Sequence, residues 1–388
     1  MSEFQFSSSD SKFPGEVTTI FSVMSKLSQQ HQAINLGQGF PDFDCDPTLI
    51  ERVTAAMQAG INQYPPMPGL PTLRNAIAEK IHKAYDSAYD AESEITVTAG
   101  ATQALLTAIL TFVHAGDEVI IIEPAYDSYL PSIRLAGGIA KPVQMELDGN
   151  RYFIPWDKVK QSITPRTRML ILNSPHNPTG TVLTTEDIQA LKDCVRDSRI
   201  LILSDEVYEH IIFDGQIHAS MASDPELKTR SLIVSSFGKT FHVTGWKVGY
   251  IAAPKLLSAE FRKVHQYNVF TVNSPMQAAL AEHLSHSRQH WELPAFYQEK
   301  RDYFRHKLQQ TRFELLPCHG TYFQSVRYRD ISDLPEREFA EWMTKKAGVA
   351  CIPMSAFYQQ PTDSGVVRFC FAKRQSTLEQ ALQRLQTL

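Results

Sequence analysis

Short apolar runs recur along the chain between segments with helix-like spacing, and polar residues rarely interrupt them. Runs such as VIII and ILIL suit strands that helices cover on both faces, as in a parallel sheet. We therefore predict an α/β core over roughly residues 46–284, a large domain with a mostly parallel central sheet flanked by helices. Its predicted strands cover residues 94–98, 118–122, 169–172, 200–203, 232–234 and 248–252.

The pattern changes beyond residue 284. A long charged helical stretch (WELPAFYQEKRDYFRHKLQQ) is followed by turn signals, a strand-like segment (VVRFCFA) and a closing helix. This change predicts a second, smaller α+β domain made of residues 1–45 and 285–388.

Composition narrows the possible partners. Of 388 residues, 43% are apolar and 21% are charged, and the net charge of -4 leaves no basic surplus for nucleic acid or an anionic membrane. The N-terminus lacks a signal-peptide core and no apolar stretch reaches the roughly 18 residues of a membrane span, which predicts a cytoplasmic protein. Five scattered cysteines without a Cys-x-x-Cys pair argue against a disulfide framework or a zinc site.

Ligands of a parallel α/β sheet collect beyond the carboxyl ends of its strands. After the strand ITVT, the small residues Ala99, Gly100, Ala101 and Thr102 open a helix-like segment. Backbone N–H groups at such a helix start can hold a phosphate, although an ordinary strand-to-helix turn explains the same residues.

Other predicted strands are followed by side chains of the kinds that one cofactor requires. These side chains are Tyr126, Asn177, Asp205 with Tyr208, and Ser236 with Lys239. Pyridoxal phosphate needs a lysine that forms a Schiff base and a carboxylate that keeps its pyridine nitrogen protonated. Taken alone, Asp205 would also suit a helix N-cap, and Lys239 a surface turn.

The segment SSFGKTFHVTGWKVGY carries a resemblance that extends along most of the chain. It resembles the signature around the Schiff-base lysine of the class I/II aminotransferases of fold type I, which depend on pyridoxal phosphate. Further matching segments occur in order: NLGQGFPDF, YPPMPGLPTLR, VTAGATQAL, EPAYDSY, NSPHNPTG, SDEVYEH and VVRFCFA. Within the family, NLGQGFPDF and the variant with Gly238 and Lys247 resemble the kynurenine/glutamine transaminase branch.

The resemblance implies an enzyme of amino-acid metabolism. It would move the amino group of an L-amino acid to a 2-oxo acid by a ping-pong mechanism through pyridoxamine phosphate. The expected donors have large uncharged side chains: methionine first, then aromatic residues, histidine and glutamine. A cysteine-conjugate carbon–sulfur β-lyase would use the same lysine and cofactor, and remains an alternative.

The resemblance also implies a role for each matching residue. Lys239 would bind the cofactor and move protons, and Asp205 would pair with the pyridinium nitrogen. Asn177 and Tyr208 would hydrogen-bond the phenolic oxygen of the cofactor, and Tyr126 would stack on its ring. Its phosphate would lie on Gly100, Ala101, Thr102, Ser236 and Lys247.

The substrate carboxylate would be held by Arg368, with help from Gly39 and Asn177. Tyr64 would reach the phosphate of the neighbouring subunit, which implies a homodimer. The chain departs from many members at Lys247, where they carry arginine. A lysine binds phosphate as a point charge, so phosphate binding would depend more on salt.

Two other motifs have weaker support. Ser236 and Lys239 satisfy Ser-x-x-Lys, but the companion motifs of penicillin-interacting acyl enzymes are missing from the sequence. His283, His286 and His290 could line one helix face and hold a metal, although such a run is more often a solvated face.

Overall fold

The computed structural model describes residues 11–13, 18–149 and 151–388. Its helices, in chain order, are α1 (Ile20–Gln30), α2 (Pro47–Gln58), α3 (Pro71–Tyr85), α4 (Gly100–Phe112), α5 (Tyr129–Leu135), α6 (Trp156–Ser162), α7 (Thr185–Val195), α8 (Pro225–Lys228), α9 (Phe237–Thr240), α10 (Lys255–Asn268), α11 (Ser274–His286), α12 (Gln289–Leu308), α13 (Glu336–Lys346) and α14 (Gln375–Leu385). Its strands are β1 (Ile34–Asn35), β2 (Ile95–Thr98), β3 (Glu118–Glu123), β4 (Ile139–Gln144), β5 (Glu146–Asp148), β6 (Arg151–Phe153), β7 (Thr167–Asn173), β8 (Leu201–Asp205), β9 (Ser231–Ser236), β10 (Gly249–Ala252), β11 (Glu314–Leu315), β12 (Phe323–Arg327), β13 (Val349–Ala350), β14 (Ile352–Pro353) and β15 (Val366–Cys370).

A seven-stranded sheet forms the centre of the larger part of the chain, in the order β2-β10-β9-β8-β7-β3-β4. Four neighbouring pairs are parallel: β3 pairs with β4 and β7, and β8 pairs with β7 and β9. Strand β10 runs antiparallel to both of its neighbours. All six predicted strands form and all belong to this sheet, so the predicted fold class is confirmed.

The apolar run of β3 shows why helices must cover both faces of the sheet. Val119 and Ile121 belong to one buried cluster, which includes residues of α4 and α10. Ile120 and Ile122 belong to the other buried cluster. Because successive strand residues point to opposite faces of the sheet, an uninterrupted apolar run places apolar side chains on both faces, and both faces must be covered.

Strand β4 was missed by the sequence analysis. It lies at the edge of the sheet, and its sequence IAKPVQ leaves most side chains partly or fully exposed. Proline and polar residues are tolerated at a sheet edge, where only one partner strand must be hydrogen-bonded. The strand therefore lacks the apolar signal of the central strands.

A smaller antiparallel sheet, in the order β11-β12-β15-β14, follows the large one in the chain. The N-terminal strand β1 pairs in parallel with β13, which joins residues 34–35 to residues 349–350. This pairing suits the predicted small domain, but the division into residues 46–284 and residues 1–45 with 285–388 stays a prediction. Part of it, residues 1–10 and 14–17, lies outside the described residues.

Local sequence signals fix where several helices begin. The Asp46 side chain accepts a hydrogen bond from the N–H of Thr48 at the start of α2, and Pro47 occupies the first turn. Thr184 and Asp187 form a reciprocal capping box at the start of α7.

Across the described ranges, no helix combines the length and apolar character needed to cross a bilayer.

Candidate active site

A cavity of about 460 Å³ opens at the carboxyl ends of the central strands. All the predicted site residues except Tyr64 line it: Gly39, Gly100, Ala101, Thr102, Tyr126, Asn177, Asp205, Tyr208, Ser236, Lys239, Lys247 and Arg368. The structure thus gathers in one place residues that are up to 329 positions apart in sequence, from Gly39 to Arg368.

One end of the cavity is an anion cradle at the start of α4. The helix begins at Gly100, whose φ is +76°, so the N–H groups of Ala101 and Thr102 lie in its first turn and have no acceptor within the helix. Strand β10 approaches this turn closely, since a Cβ atom on Gly249 would lie 3.2 Å from the Ala101 nitrogen. The Lys247 amino group lies beside the same turn, 3.4 Å from where a Cβ atom of Gly100 would be.

Lys239 extends into the cavity from the short helix α9. Its Nζ donates a hydrogen bond to the carbonyl oxygen of Gly39 at 2.9 Å, and the Tyr322 hydroxyl donates to the same oxygen at 2.6 Å. Burial, with Arg368 and Lys247 nearby, lowers the pKa of Lys239 to about 8. This shift brings the unprotonated amine, the form that a nucleophile or proton acceptor requires, much closer to neutral pH than for an ordinary lysine.

Asp205 ends β8 and is buried. The Tyr129 hydroxyl donates to its Oδ2 at 2.7 Å, and the Val207 N–H donates to its Oδ1 at 3.3 Å. Burial raises the pKa of Asp205 to about 6, although both donors oppose this rise. A cation placed against this carboxylate would keep it ionised.

Arg368 projects from β15 and is only 1% exposed. Its Nη1 donates to Asn177 Oδ1 at 2.6 Å and its Nη2 to the carbonyl oxygen of Gly37 at 3.0 Å, while the buried Nε has no hydrogen-bond partner among the described residues. The Phe323 ring centroid lies 3.8 Å from its Cζ. Burial lowers the pKa of Arg368 to about 10, so the guanidinium stays charged at neutral pH and can accept a carboxylate.

Two tyrosines add aromatic and hydroxyl groups to the cavity. The hydroxyls of Tyr126 and Thr102 are 3.3 Å apart. Tyr208 packs edge-on against Tyr322 and Phe323, with ring centroids 5.3 and 5.9 Å away. Burial raises the pKa of Tyr208 above its ordinary value, so this hydroxyl stays protonated at neutral pH and can donate a hydrogen bond.

The sequence analysis missed several residues that build the site. Among them are Phe21, Gln38, Phe40, Asp127, Tyr129, Tyr322 and Phe323. Tyr129 had a usable signal, because it lies three residues after Tyr126 and begins a helix in the quoted segment EPAYDSY. Tyr322 had none, since its contact with Gly39 spans 283 positions.

Tyr64 lies outside the cavity and is 80% exposed. Its ring packs edge-on against the partly exposed Phe270, with centroids 5.2 Å apart. The three histidines of the metal hypothesis do not share one helix: His283 and His286 belong to α11, and His290 to α12. No group of metal-binding side chains occurs within the described ranges.

The fold and the cavity define an aminotransferase of the fold type I class, and comparison with known proteins identifies its family. The chain belongs to the family of class I and II aminotransferases, whose family model matches residues 31–385. The predicted family and enzyme class are therefore confirmed.

Individual relatives match nearly the whole chain. Methionine aminotransferase of Escherichia coli (strain K12) is 50% identical over 379 residues, which cover 97% of this chain and 98% of that protein. Kynurenine–oxoglutarate transaminase 1 of Mus musculus is 34% identical over 394 residues, with 93% of each chain covered. The crystal structure of YbdL from Escherichia coli, described as identifying a methionine aminotransferase function, superimposes with a TM-score of 0.94 at 49% identity and covers 98% of this chain and 99% of that one.

This family uses pyridoxal phosphate, and the predicted cofactor is confirmed. The residues of this chain fit that group. The cavity combines free N–H groups at a helix start, an amine with a lowered pKa, a buried carboxylate for a cationic ring and an arginine with an unpartnered Nε.

Proposed function

We propose that this enzyme takes the amino group from L-amino acids with large uncharged side chains and passes it to a 2-oxo acid by a ping-pong mechanism. Methionine would be the preferred donor, followed by aromatic residues, histidine and glutamine. The 50% identity to the Escherichia coli methionine aminotransferase supports this preference.

The proposed preference for uncharged donors is based on the charged side chains that line the cavity. The described lining residues include three cationic side chains, Lys239, Lys247 and Arg368. Each would already be engaged by the cofactor or by the substrate carboxylate, and so would not pair with the substrate side chain. Asp127 also lines the cavity, and burial raises the pKa of this carboxyl. Among the lining residues that the structure describes, an acidic side chain would meet a carboxyl group and no further cation, while Phe21 and Phe40 offer apolar surface to an uncharged side chain.

When bound, pyridoxal phosphate supplies an electron sink for the carbon that loses its proton. Arg368 would hold the substrate carboxylate with two parallel hydrogen bonds, and Asn177 and Gly39 would fix its orientation. The Lys239 amine would take the proton from the substrate carbon and return it, as general base and then acid.

The remaining residues would hold the cofactor in place. Asp205 would face the ring nitrogen, Tyr126 would stack on the ring, and Tyr208 and Asn177 would donate hydrogen bonds to its phenolic oxygen. The phosphate would occupy the cradle at the start of α4, formed by Gly100, Ala101, Thr102, Ser236 and Lys247. The Ser236 hydroxyl already accepts a hydrogen bond from the Gly238 N–H at 3.2 Å, which fixes its position at the cradle.

A homodimer in the cytoplasm is part of the proposal. Tyr64 would complete the phosphate site of the neighbouring subunit, and its 80% exposure supports a contact outside its own chain. The large domain of residues 46–284 would carry the cofactor, and the small domain, residues 1–45 with 285–388, would contribute Arg368 and Gly39 to the substrate site.

Steady-state kinetics with several donors and one 2-oxo acid tests the donor preference. We expect kcat/KM for methionine to exceed that for aspartate by at least about 100-fold, because the aspartate side chain would be buried without a cation. Asp127→Asn should raise kcat/KM for aspartate and leave that for methionine nearly unchanged. A higher kcat/KM for aspartate than for methionine in the unmodified enzyme contradicts the proposal.

A further inference from the structure

Two buried glutamates directly follow cavity residues at and after the end of β8. Asp205 and Tyr208 line the cavity, whereas the residues that follow them, Glu206 and Glu209, do not and are buried. Glu206 Oε2 lies 2.8 Å from His218 Nε2, and its Oε1 accepts from the Met221 N–H at 3.0 Å. Glutamates thus anchor the loop on its far side.

Glu209 has the more extensive set of contacts. Lys80 of α3 forms a hydrogen-bonded ion pair with its Oε2, and the two side chains are only 5% and 3% exposed. Tyr85, at the end of the same helix, donates its hydroxyl to Oε2. On the other oxygen, Oε1, Ser235 donates at 2.5 Å and Tyr250 at 3.2 Å.

This buried charge joins helix α3 and strands β9 and β10 to the loop that carries Tyr208. One of its donors, Ser235, directly precedes the cavity residue Ser236. Burial opposes ionisation of Glu209, but Lys80, His210 and the hydrogen bonds outweigh it and hold the pKa of Glu209 well below its usual range. The carboxylate is therefore charged throughout the working pH range.

A buried ion pair is a poor way to gain stability, since apolar residues of similar volume often serve as well. It does restrict geometry, because several directional hydrogen bonds converge on one carboxylate. Tyr208 itself faces a different set of charged and titratable groups, namely Lys239, Arg368, Tyr322, Cys370 and Asp205. Its orientation among them depends on how its backbone is held.

We propose that Lys80 and Glu209 form a positioning pair for Tyr208: they hold the loop so that the Tyr208 hydroxyl meets the cofactor. This inference rests on the proposed role of Tyr208 as hydrogen-bond donor to the cofactor. We therefore expect the Lys80–Glu209 pair to affect kcat and the spectrum of the bound cofactor. The KM of the amino donor should change little, because donor binding would depend on Arg368.

The test uses the holoenzyme and the variant Lys80→Met/Glu209→Gln, which removes both charges together and keeps a polar partner for Tyr85 and Ser235. We expect kcat to fall about 10- to 100-fold at nearly constant donor KM, as for a small misplacement of a catalytic group. The pH midpoint of the visible band of the bound cofactor should move upward by about one pH unit, because a hydrogen bond to the ionised oxygen is weakened.

The same helix provides a matched control. Lys83 and Glu79 form an exposed ion pair, with 60% and 57% side-chain exposure and an N–O distance of 2.6 Å. Lys83→Met/Glu79→Gln should leave kcat and the midpoint unchanged. If the buried double variant does not fold, Tyr85→Phe removes one hydrogen bond to Glu209 without changing a charge, and should shift the midpoint in the same direction by less.

Tyr208→Phe distinguishes the proposed role of Tyr208 from the positioning role of the Lys80–Glu209 pair. It should shift the midpoint by itself, and adding Lys80→Met/Glu209→Gln should then have little further effect, since interacting residues are not additive. An unchanged midpoint in Tyr208→Phe overturns the proposed role of Tyr208. A shift in Tyr208→Phe with none in the buried-pair variant, or fully additive shifts, overturns the positioning role of the pair.

Discussion

Asp205 is held in place by groups on both sides of its strand end. The hydroxyl of Tyr129 and the N–H of Val207 orient its carboxylate, and its burial raises its pKa to about 6. A cationic ring nitrogen would offset this burial cost, and the carboxylate would in turn favour the protonated ring. This partnership would give Asp205 a role in rate more than in binding.

We expect Asp205→Asn to bind the cofactor and to lose at least about 100-fold in kcat, a loss typical of a charge-stabilising group. The amide keeps the shape and can still accept from Tyr129, but it lacks the negative charge. Absorbance gives the amount of bound cofactor and steady-state assays give kcat. Near-normal turnover at full cofactor occupancy contradicts the role assigned to Asp205.

At the residue scale, the sequence was sufficient for side chains that follow a strand directly. Asp205, Tyr208, Asn177 and Lys239 were selected in this way, and the structure brings them to one cavity. The sequence did not predict the contacts between residues that only the tertiary fold brings together. The shared acceptor of Lys239 and Tyr322, the Gly39 carbonyl, lies 200 positions from Lys239, and a backbone oxygen has no sequence signature.

Among the elements, the contact of β10 with the start of α4 decides the shape of the anion cradle. Gly249 makes the contact possible: a Cβ atom there would lie 2.6 Å from the Ser235 carbonyl oxygen and 3.2 Å from the Ala101 nitrogen. The strand cannot accept a side chain at this position without moving away from the helix or from β9.

Gly249→Ala should therefore weaken cofactor binding, because it would displace the N–H groups that are proposed to hold the phosphate. We expect the dissociation constant for pyridoxal phosphate to rise about 10-fold or more, given the clash with backbone atoms and the tight packing of interiors. Titration of the cofactor-free enzyme measures it. Gly245→Ala is the control, since a Cβ atom at Gly245 meets no atom within 4 Å; equal affinities of the two variants contradict this reading.

The sequence predicted the elements well where their two faces are equally buried. The central strands were found because their apolar runs have no polar interruption, while the edge strand β4 was missed because its exposed residues remove that signal. The start of α4 at Gly100 was visible from its small residues, but the closeness of Gly249 was not, because it depends on the pairing of β10 with β9.

At the scale of the whole molecule, one predicted site residue remains apart from the others. Tyr64 is exposed and lies outside the cavity, next to Phe270. A symmetric dimer could bring it to the partner's phosphate cradle. Such a contact would depend on the assembly of two subunits and not on the fold of one, so no pattern in the sequence encodes it directly.

Subunit exchange tests this arrangement. Tyr64→Ala and Lys239→Ala would each damage a different half of a shared site, so a mixed dimer would contain one intact site. After random exchange we expect about a quarter of the unmodified activity at limiting cofactor, since half of the dimers are mixed and each has one good site of two. Activity that stays at the mean of the two parent variants contradicts a shared site.

The central claim is that Lys239, Asp205 and Arg368 form a transamination site for an uncharged donor. The most direct test is a single half-reaction, in which the holoenzyme is mixed with excess L-methionine and no 2-oxo acid while the visible spectrum and the products are recorded. We expect the visible band of the bound cofactor to be replaced by that of its amino form, and the matching 2-oxo acid to appear in an amount equal to the enzyme. A band that persists while ammonia and a thiol accumulate contradicts it and indicates a carbon–sulfur lyase.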